Sequence, residues 1–241
     1  MLLFMSGERT VARINKSVLT KSEIINEATK QFLENGYSHT TISSICKRLE
    51  MSSGNLTFHY PTKEHLLAVL VNMLCDFQWK LIKEEAADGY DFVMAICLEF
   101  TSMCSAAEQD AVIKDFFISA YTSPMCLDHI RRNDAKRAKR VFCSYRPEWQ
   151  DEQFTAAEIL VSGIEYATLM TAGEPVALEN RIAGAMEVIF DIYGVPEEIR
   201  KQKIQKVFNM DYKRIGRRVL AEFKQYVVEK NEQTFQNLLK P

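Results

Sequence analysis

The chain has 241 residues, 47% of them hydrophobic and 26% charged, with only 9 Gly and 6 Pro. That length sets one or two domains with room for a sizeable core, and so few turn residues exclude collagen-like, low-complexity and loop-rich all-β architectures. The net charge of −2 excludes a general pull to nucleic acid or lipid. It is unevenly spread, however: residues 1–75 carry 8 Lys+Arg against 6 Asp+Glu, residues 76–194 carry 11 against 20, and residues 195–241 carry 11 against 6.

In chain order almost every segment reads as helix. Arg9, Arg13 and Lys16 read as a tail, or as an arm reaching phosphates or a minor groove. Thr20-Lys21-Ser22-Glu23 has the pattern of a capping box, and Ile24, Ala28 and Phe32 then recur on one stripe until Asn35-Gly36. A second helix starts at Thr41, with Ile42, Ile45, Cys46 and Leu49 at helical spacing. Ser52-Ser53-Gly54 opens a third of about seven residues, and Thr62 caps a fourth from Lys63 to Phe77.

Past a break at Asp88-Gly89, helices are predicted over 91–105 and 110–121. The next runs from the Ser123-Pro124 start, with Pro at the first helical position, to about Tyr145. Thr155-Ala156-Ala157-Glu158 reads as a second capping box, for a helix to Thr171. Gly173 and Pro175 punctuate the chain before a helix from Val176 to Tyr193 that ends at Gly194. Two more start at Pro196 and Asp211. The fold class is therefore all-α: a three-helix N-terminal unit at 17–77, then a helical bundle at 78–241 with two additional helices at its end.

No uncharged run approaches the ~18 apolar residues of a membrane span. Met1–Met5 is too short for a secretory segment, so the protein is expected in the cytoplasm. The six cysteines form no C-x-x-C pair and read as reduced, mostly buried side chains. No two histidines share metal-ligand spacing. No catalytic constellation, phosphate loop or cofactor motif is present, so no catalytic, metal or cofactor residue is assigned. The basic run Arg131–Arg140 reads as a solvated helix face.

Residues 41–60 carry the specific signal. A short helix, a tight turn and an outward second helix form the helix-turn-helix pattern, whose second helix enters the major groove. Leu56 and Tyr60 would face the core, leaving Asn55, Thr57, Phe58 and His59 outward. An exposed Phe beside Asn and Thr suits a groove reader, since Phe contacts a thymine methyl and Asn an adenine edge.

The run from Thr41-Ile42 through Lys47-Arg48, Met51-Ser52-Ser53-Gly54-Asn55-Leu56 and His59-Tyr60-Pro61-Thr62-Lys63-Glu64, with upstream Ala28, Phe32 and Gly36-Tyr37, resembles the DNA-binding domain of the tetracycline-repressor (TetR) family. The resemblance covers 17–77. It implies a homodimeric, ligand-responsive repressor on a double-stranded, palindromic DNA operator. By position it makes Thr41 and Lys63 phosphate contacts and His59 a phosphate or sugar contact. Ser53, Gly54, Asn55 and Phe58 become base-facing or close-approach positions, with Thr57 beside them. Three residues depart from the family pattern: Thr57 for Tyr, Glu50 for a turn Gly, and Leu49 for a small Ala. A positive φ at Glu50 would cost about 1–2 kcal/mol.

For the C-terminal helices the resemblance implies a dimer contact and a small-molecule pocket. Ala156, Ile159, Leu160, Gly163 and Ala167, with Ala183, Met186, Ile189 and Phe190, suit a four-helix interface. Phe100, Met103, Phe117, Tyr121, Tyr145, Tyr166 and Met170 are the candidate pocket residues. The acidic balance of 76–194 argues for an apolar neutral or cationic effector, although solvated helix faces would account for the same charge. The competing reading is a helical ligand- or protein-binding module that no longer reads DNA.

Overall fold

The computed structural model describes residues 2–85, 91–171 and 175–239, with side chains from Lys16 onward for the first helix. The Asp88-Gly89 and Gly173 breaks lie outside the described residues, as do the side chains of Arg9 and Arg13.

Eleven helices and no strand occur among the described residues. They are α1 Leu2–Asn35, α2 Ile42–Arg48, α3 Ser53–His59, α4 Lys63–Glu85, α5 Phe92–Gln109 and α6 Ala111–Thr122. There follow α7 Pro124–Phe142, α8 Asp151–Met170, α9 Leu178–Ile192, α10 Glu197–Phe208 and α11 Tyr212–Leu239.

Two helix starts differ from the sequence reading. The Thr20 box is not a start. Nothing in residues 10–19 breaks a helix, so α1 runs straight through, and the tail reading gives way to helix. Thr20 Oγ1 donates to the Lys16 carbonyl at 3.0 Å instead of capping. Likewise Thr155 Oγ1 donates back to Asp151 O at 2.8 Å. The true cap of α8 is Gln150, paired with Gln153. Two acids in the first turn, Asp151 and Glu152, suit the positive end of that helix. Ser123 does cap α7, with Pro124 at the first position.

α5 is buried on nearly all sides, which marks a helix at the centre of a core. The other helices of residues 63–239 pack around it, α4, α9, α10 and α11 among them. Lys63–Ile82 on α4 is long and apolar enough by composition to cross a membrane, a length the run-based reading missed. Its apolar side is spent inside the protein, where Leu66, Leu67, Leu70 and Ile82 are fully buried.

The added C-terminal helix supplies none of the lining of the inner cavity. α11 lies along α1, α4 and α5. Gly216 makes the approach to α5 possible, since a Cβ there would sit 2.6 Å from the Ser102 carbonyl oxygen. Phe223 and Tyr226 pack against Phe77 of α4. Lys224 pairs with Glu34 at 3.0 Å, and Asn231 bonds Asn26 at 2.6 Å. The last helix thus braces the N-terminal unit against the bundle.

Candidate nucleic-acid interface and inner cavity

The N-terminal unit is built around Phe32, Ile45, Leu56 and Leu66, all fully buried. Thr41 caps α2: its hydroxyl accepts from Ser44 N at 3.0 Å, and Ser44 Oγ accepts from Thr41 N at 3.1 Å. Ser44 also donates to Gln31 at 2.7 Å, fixing α2 to α1. The turn passes through Glu50 at φ 52, in the left-handed region where a side chain is strained. Ser52 then caps α3, accepting from Asn55 N at 3.2 Å.

Leu56 anchors α3, and the rest of the helix is presented outward. Ser53, Gly54, Asn55, Thr57 and Phe58 are exposed, Phe58 by 81%, while His59 and Tyr60 are half-buried. Gly54 has no internal reason to be glycine, since a Cβ there would meet nothing within 4 Å. Thr57 Oγ1 donates to Ser53 O at 2.9 Å, so its hydroxyl serves its own helix first. His59 sits 5.2 Å from the Phe58 ring. Partial burial, then the nearby Lys21 charge, hold its imidazole below the usual range, so near neutral pH it offers a neutral N–H.

Lys63 has a job inside the protein that sequence reasoning missed. Its Nζ donates to Tyr37 O at 2.8 Å and Thr40 O at 2.9 Å, over the Tyr37 ring at 4.0 Å. It closes the α1–α2 turn, with at most one N–H left for an outside group. The same turn is gripped from below by Asp115 of α6, which accepts from Ser38 N at 2.8 Å and Ser38 Oγ at 2.5 Å.

An inner cavity of about 90 Å³ lies between α4, α5, α6, α7, α8 and α9. Phe100, Met103, Phe117 and Tyr121 line it, as the sequence suggested. Tyr145, Tyr166 and Met170 do not. Tyr145 lies beyond α7, half-buried against the core, and Met170 is exposed at the end of α8. Tyr166 is also half-buried on the core, outside the cavity lining.

The cavity walls are more polar than the aromatic count implied. Glu99, Asp134, Glu158 and Glu165 all face it, against Arg137 as the one base in its lining. The solvated-face reading of the acids therefore fails for these four. Arg137 leaves the basic face expected of residues 131–140 and turns inward. Its guanidinium bonds both Glu99 oxygens, at 3.0 and 2.9 Å, and also Asp134. Glu165 accepts from Tyr121 OH at 2.8 Å, and Glu158 accepts from Tyr193 OH. Tyr193 is itself stacked on Phe142 at 4.3 Å. Burial pushes Glu158 up to about 8, and the Asp134 charge adds to it. Burial and repulsion by Asp134 and Glu158 raise Glu165 well above the carboxylate range.

On the outer surface, Ala156, Ile159, Leu160, Gly163 and Ala167 of α8 are all exposed, Ile159 by 54% and Leu160 by 61%. The α9 half of the expected interface is corrected. Met186, Ile189 and Phe190 face the subunit's own core and Ala183 is half-buried against it, while Gly184 and Val188 are among the outward residues. A Cβ on Gly163 or Gly184 would meet nothing within 4 Å.

All six cysteines are free, Cys143 alone being exposed. Among the described residues no group of His, Cys, Asp and Glu is arranged to hold a metal ion.

Residues 24–70 match the family described as bacterial regulatory proteins, tetR family. Over 53 residues the chain is 42% identical to the HTH-type transcriptional regulator QacR of Staphylococcus aureus, spanning 22% of this chain and 28% of that one. Over 107 residues it is 28% identical to the HTH-type transcriptional regulator UidR of Escherichia coli K12, spanning 44% and 54%. The matched spans thus cover about half or less of these curated relatives. In fold it is similar to Thermus thermophilus FadR, a TetR-family transcriptional repressor solved with lauroyl-CoA. The TM-score is 0.55 at 16% identity, covering 73% of this chain and 95% of that one.

Proposed function

We propose, from the match of residues 24–70 to the tetR family of bacterial regulatory proteins, that the chain is a member of that family and a cytoplasmic, ligand-responsive repressor of transcription. It binds a palindromic DNA operator as a homodimer and catalyses no reaction. Residues 17–77 read DNA, and residues 78–241 hold the effector and the partner subunit. Repression is the sign taken from the family resemblance.

The observation that carries the reading is α3. It is locked by one buried residue, Leu56, and presents a fully outward Phe58 beside Asn55 and an open Gly54. Such a surface has no use in the isolated fold. In a major groove the Phe meets a thymine methyl, the Asn an adenine edge, and the glycine admits close backbone approach. The exposed apolar stripe on α8, with Gly163 and Gly184 left open, supports pairing of two subunits through α8 and α9.

The inner cavity is the effector site. At about 90 Å³ it accommodates roughly one ring, so a larger molecule must part the lining helices. One of these, α6, carries Phe116 and Phe117 into the cavity and Asp115 into the α1–α2 turn. Cavity occupancy thereby acts on the spacing of the two reading heads. A ligand shifts that balance only as far as it prefers one spacing to the other.

The test is a gel shift of the purified protein on the DNA upstream of its own gene, with Phe58→Ala as the control. One observation favours the competing module that no longer reads DNA: the Thr57 hydroxyl is already bonded within α3. Absence of any sequence-selective shift selects that reading.

A further inference from the structure

Building on the reading of the inner cavity as the effector site, we propose that it takes up an organic cation, an ammonium or amidinium group on an apolar body, between Glu158 and Glu165 in exchange for a proton. The two carboxyls stand seven residues apart on α8, which puts them on one face roughly 10 Å apart along the axis. Among the described residues each is hydrogen-bonded only by a phenol, Tyr193 for Glu158 and Tyr121 for Glu165. The cavity's one guanidinium is already committed, Arg137 being bonded to both Glu99 and Asp134. Glu158 is thus buried and Glu165 half-buried beside other acids, with no ion-pair partner among the described residues.

A buried carboxyl without a cation keeps its proton. A cation placed beside it reverses that balance, and the proton leaves to water. Of the groups facing the pair, the acids and thiols act in the same direction or are neutral, while the hydrogen bonds donated by the two phenols favour the charged carboxylates. These groups are Cys75 from α4, Glu99 and Cys104 from α5, Tyr121 from α6, Asp134 from α7, and Tyr193 just past α9. The opposing charges are Arg137 and Arg131, both on α7, and Arg131 donates to Ser162 at 2.8 Å.

A second observation points independently to a ligand. The Gln78 side chain is only 6% exposed and lines the same cavity, and among the described residues it makes no hydrogen bond. A buried amide with unused donor and acceptor is what a polar ligand group would satisfy. The walls of Phe100, Phe116 and Phe117 supply aromatic faces suited to a cation. An anion would meet four acids against one base there.

The experiment is calorimetric titration of the full chain with benzamidinium, with neutral benzamide and anionic benzoate as comparisons. It is run at pH 6 and 7, each in two buffers of different ionisation heat. The expected result is one benzamidinium per subunit, close to one proton released, and affinity rising about tenfold per pH unit. That rise flattens above about pH 8. Benzamide and benzoate bind at least tenfold more weakly. The double variant Glu158→Gln/Glu165→Gln, isosteric with the protonated pair, loses at least tenfold in affinity and all proton release. Glu165→Gln alone, checked by circular dichroism, covers the case in which the double variant does not fold. The proposal is overturned by failure of benzamidinium to bind, by equal binding of benzamide or benzoate, by zero proton release, or by unchanged binding to the variants. No DNA is present, so failure here leaves the operator reading standing, and a failed gel shift leaves this result standing.

Discussion

Asp115 of α6 holds Ser38 by two hydrogen bonds, one to its backbone N–H and one to its hydroxyl. The contact spans 77 positions of sequence and joins the cavity wall to the turn between α1 and α2. The adjoining Gly36, at φ +91, has Asp115 Oδ2 2.9 Å from where a Cβ would be. Gly36→Ala is strained in backbone and in space, and should cost about 1–3 kcal/mol in urea denaturation. Asp115→Ala should cost about 1 kcal/mol and weaken DNA binding. Wild-type stability in both variants would remove Asp115 from the coupling.

Glu50 occupies a left-handed turn position, and among the described residues its side chain makes no hydrogen bond or ion pair. Glu50→Gly should therefore stabilise the protein by about 1 kcal/mol, relief of strain exceeding the added freedom of the unfolded chain. A loss of stability would mean that Glu50 makes an interaction in the folded state that offsets its φ.

Lys63→Ala should have two effects. Loss of the bonds to Tyr37 O and Thr40 O costs about 1–3 kcal/mol, since those carbonyls lose a charged donor. If the third N–H meets a phosphate, the slope of log affinity against log salt also falls by about one. An unchanged slope with lowered stability would leave Lys63 as a brace alone.

Acidity should stabilise the fold through Glu158. Its folded pKa, about 8, lies above its unfolded value. Its contribution is therefore complete below the unfolded value and is lost as pH rises toward 8. The slope is at most about 1.4 kcal/mol per pH unit, and Glu158→Gln should flatten it. A wild-type stability that climbs steadily from pH 5 to 8, unaltered by the variant, would contradict the burial argument.

Sedimentation tests the α8–α9 face. Leu160→Glu, at a position 61% exposed in the single subunit, should convert a dimer to a monomer at micromolar concentration and leave melting of the subunit nearly unchanged. A monomeric wild type would sink the symmetric assembly.

Much of this was legible in the residues, for identifiable reasons. Leu56 and Phe58, two apart on a helix, could not both face inward, and the polar neighbours of Phe58 marked the outward one. The caps at Thr41 and Ser123 were readable because a turn or a proline isolates each. The boxes at Thr20 and Thr155 have the same letters but sit where the preceding residues already form helix, so the backbone oxygen four back captures each hydroxyl. The inward carboxyls were not legible. Glu158 and Glu165 share a helix with the exposed Ile159 and Leu160, so composition gave the charge of the region but not its side. Only the packing of Tyr121, Arg137 and Tyr193 settles which acids face in. The inner duty of Lys63 depends on two carbonyls more than twenty residues upstream, a relation no local pattern encodes.

The most direct test of the account is fluorescence anisotropy of the purified protein on labelled DNA from upstream of its own gene, read against an unrelated duplex of equal length. The account predicts saturable binding to one pseudo-palindromic segment. Phe58→Ala should reduce discrimination at one base position per half-site by about 1–3 kcal/mol and leave non-specific affinity intact. Equal affinity for both duplexes in the wild type, unaffected by Phe58→Ala, would contradict the assignment of α3 as a DNA-reading helix.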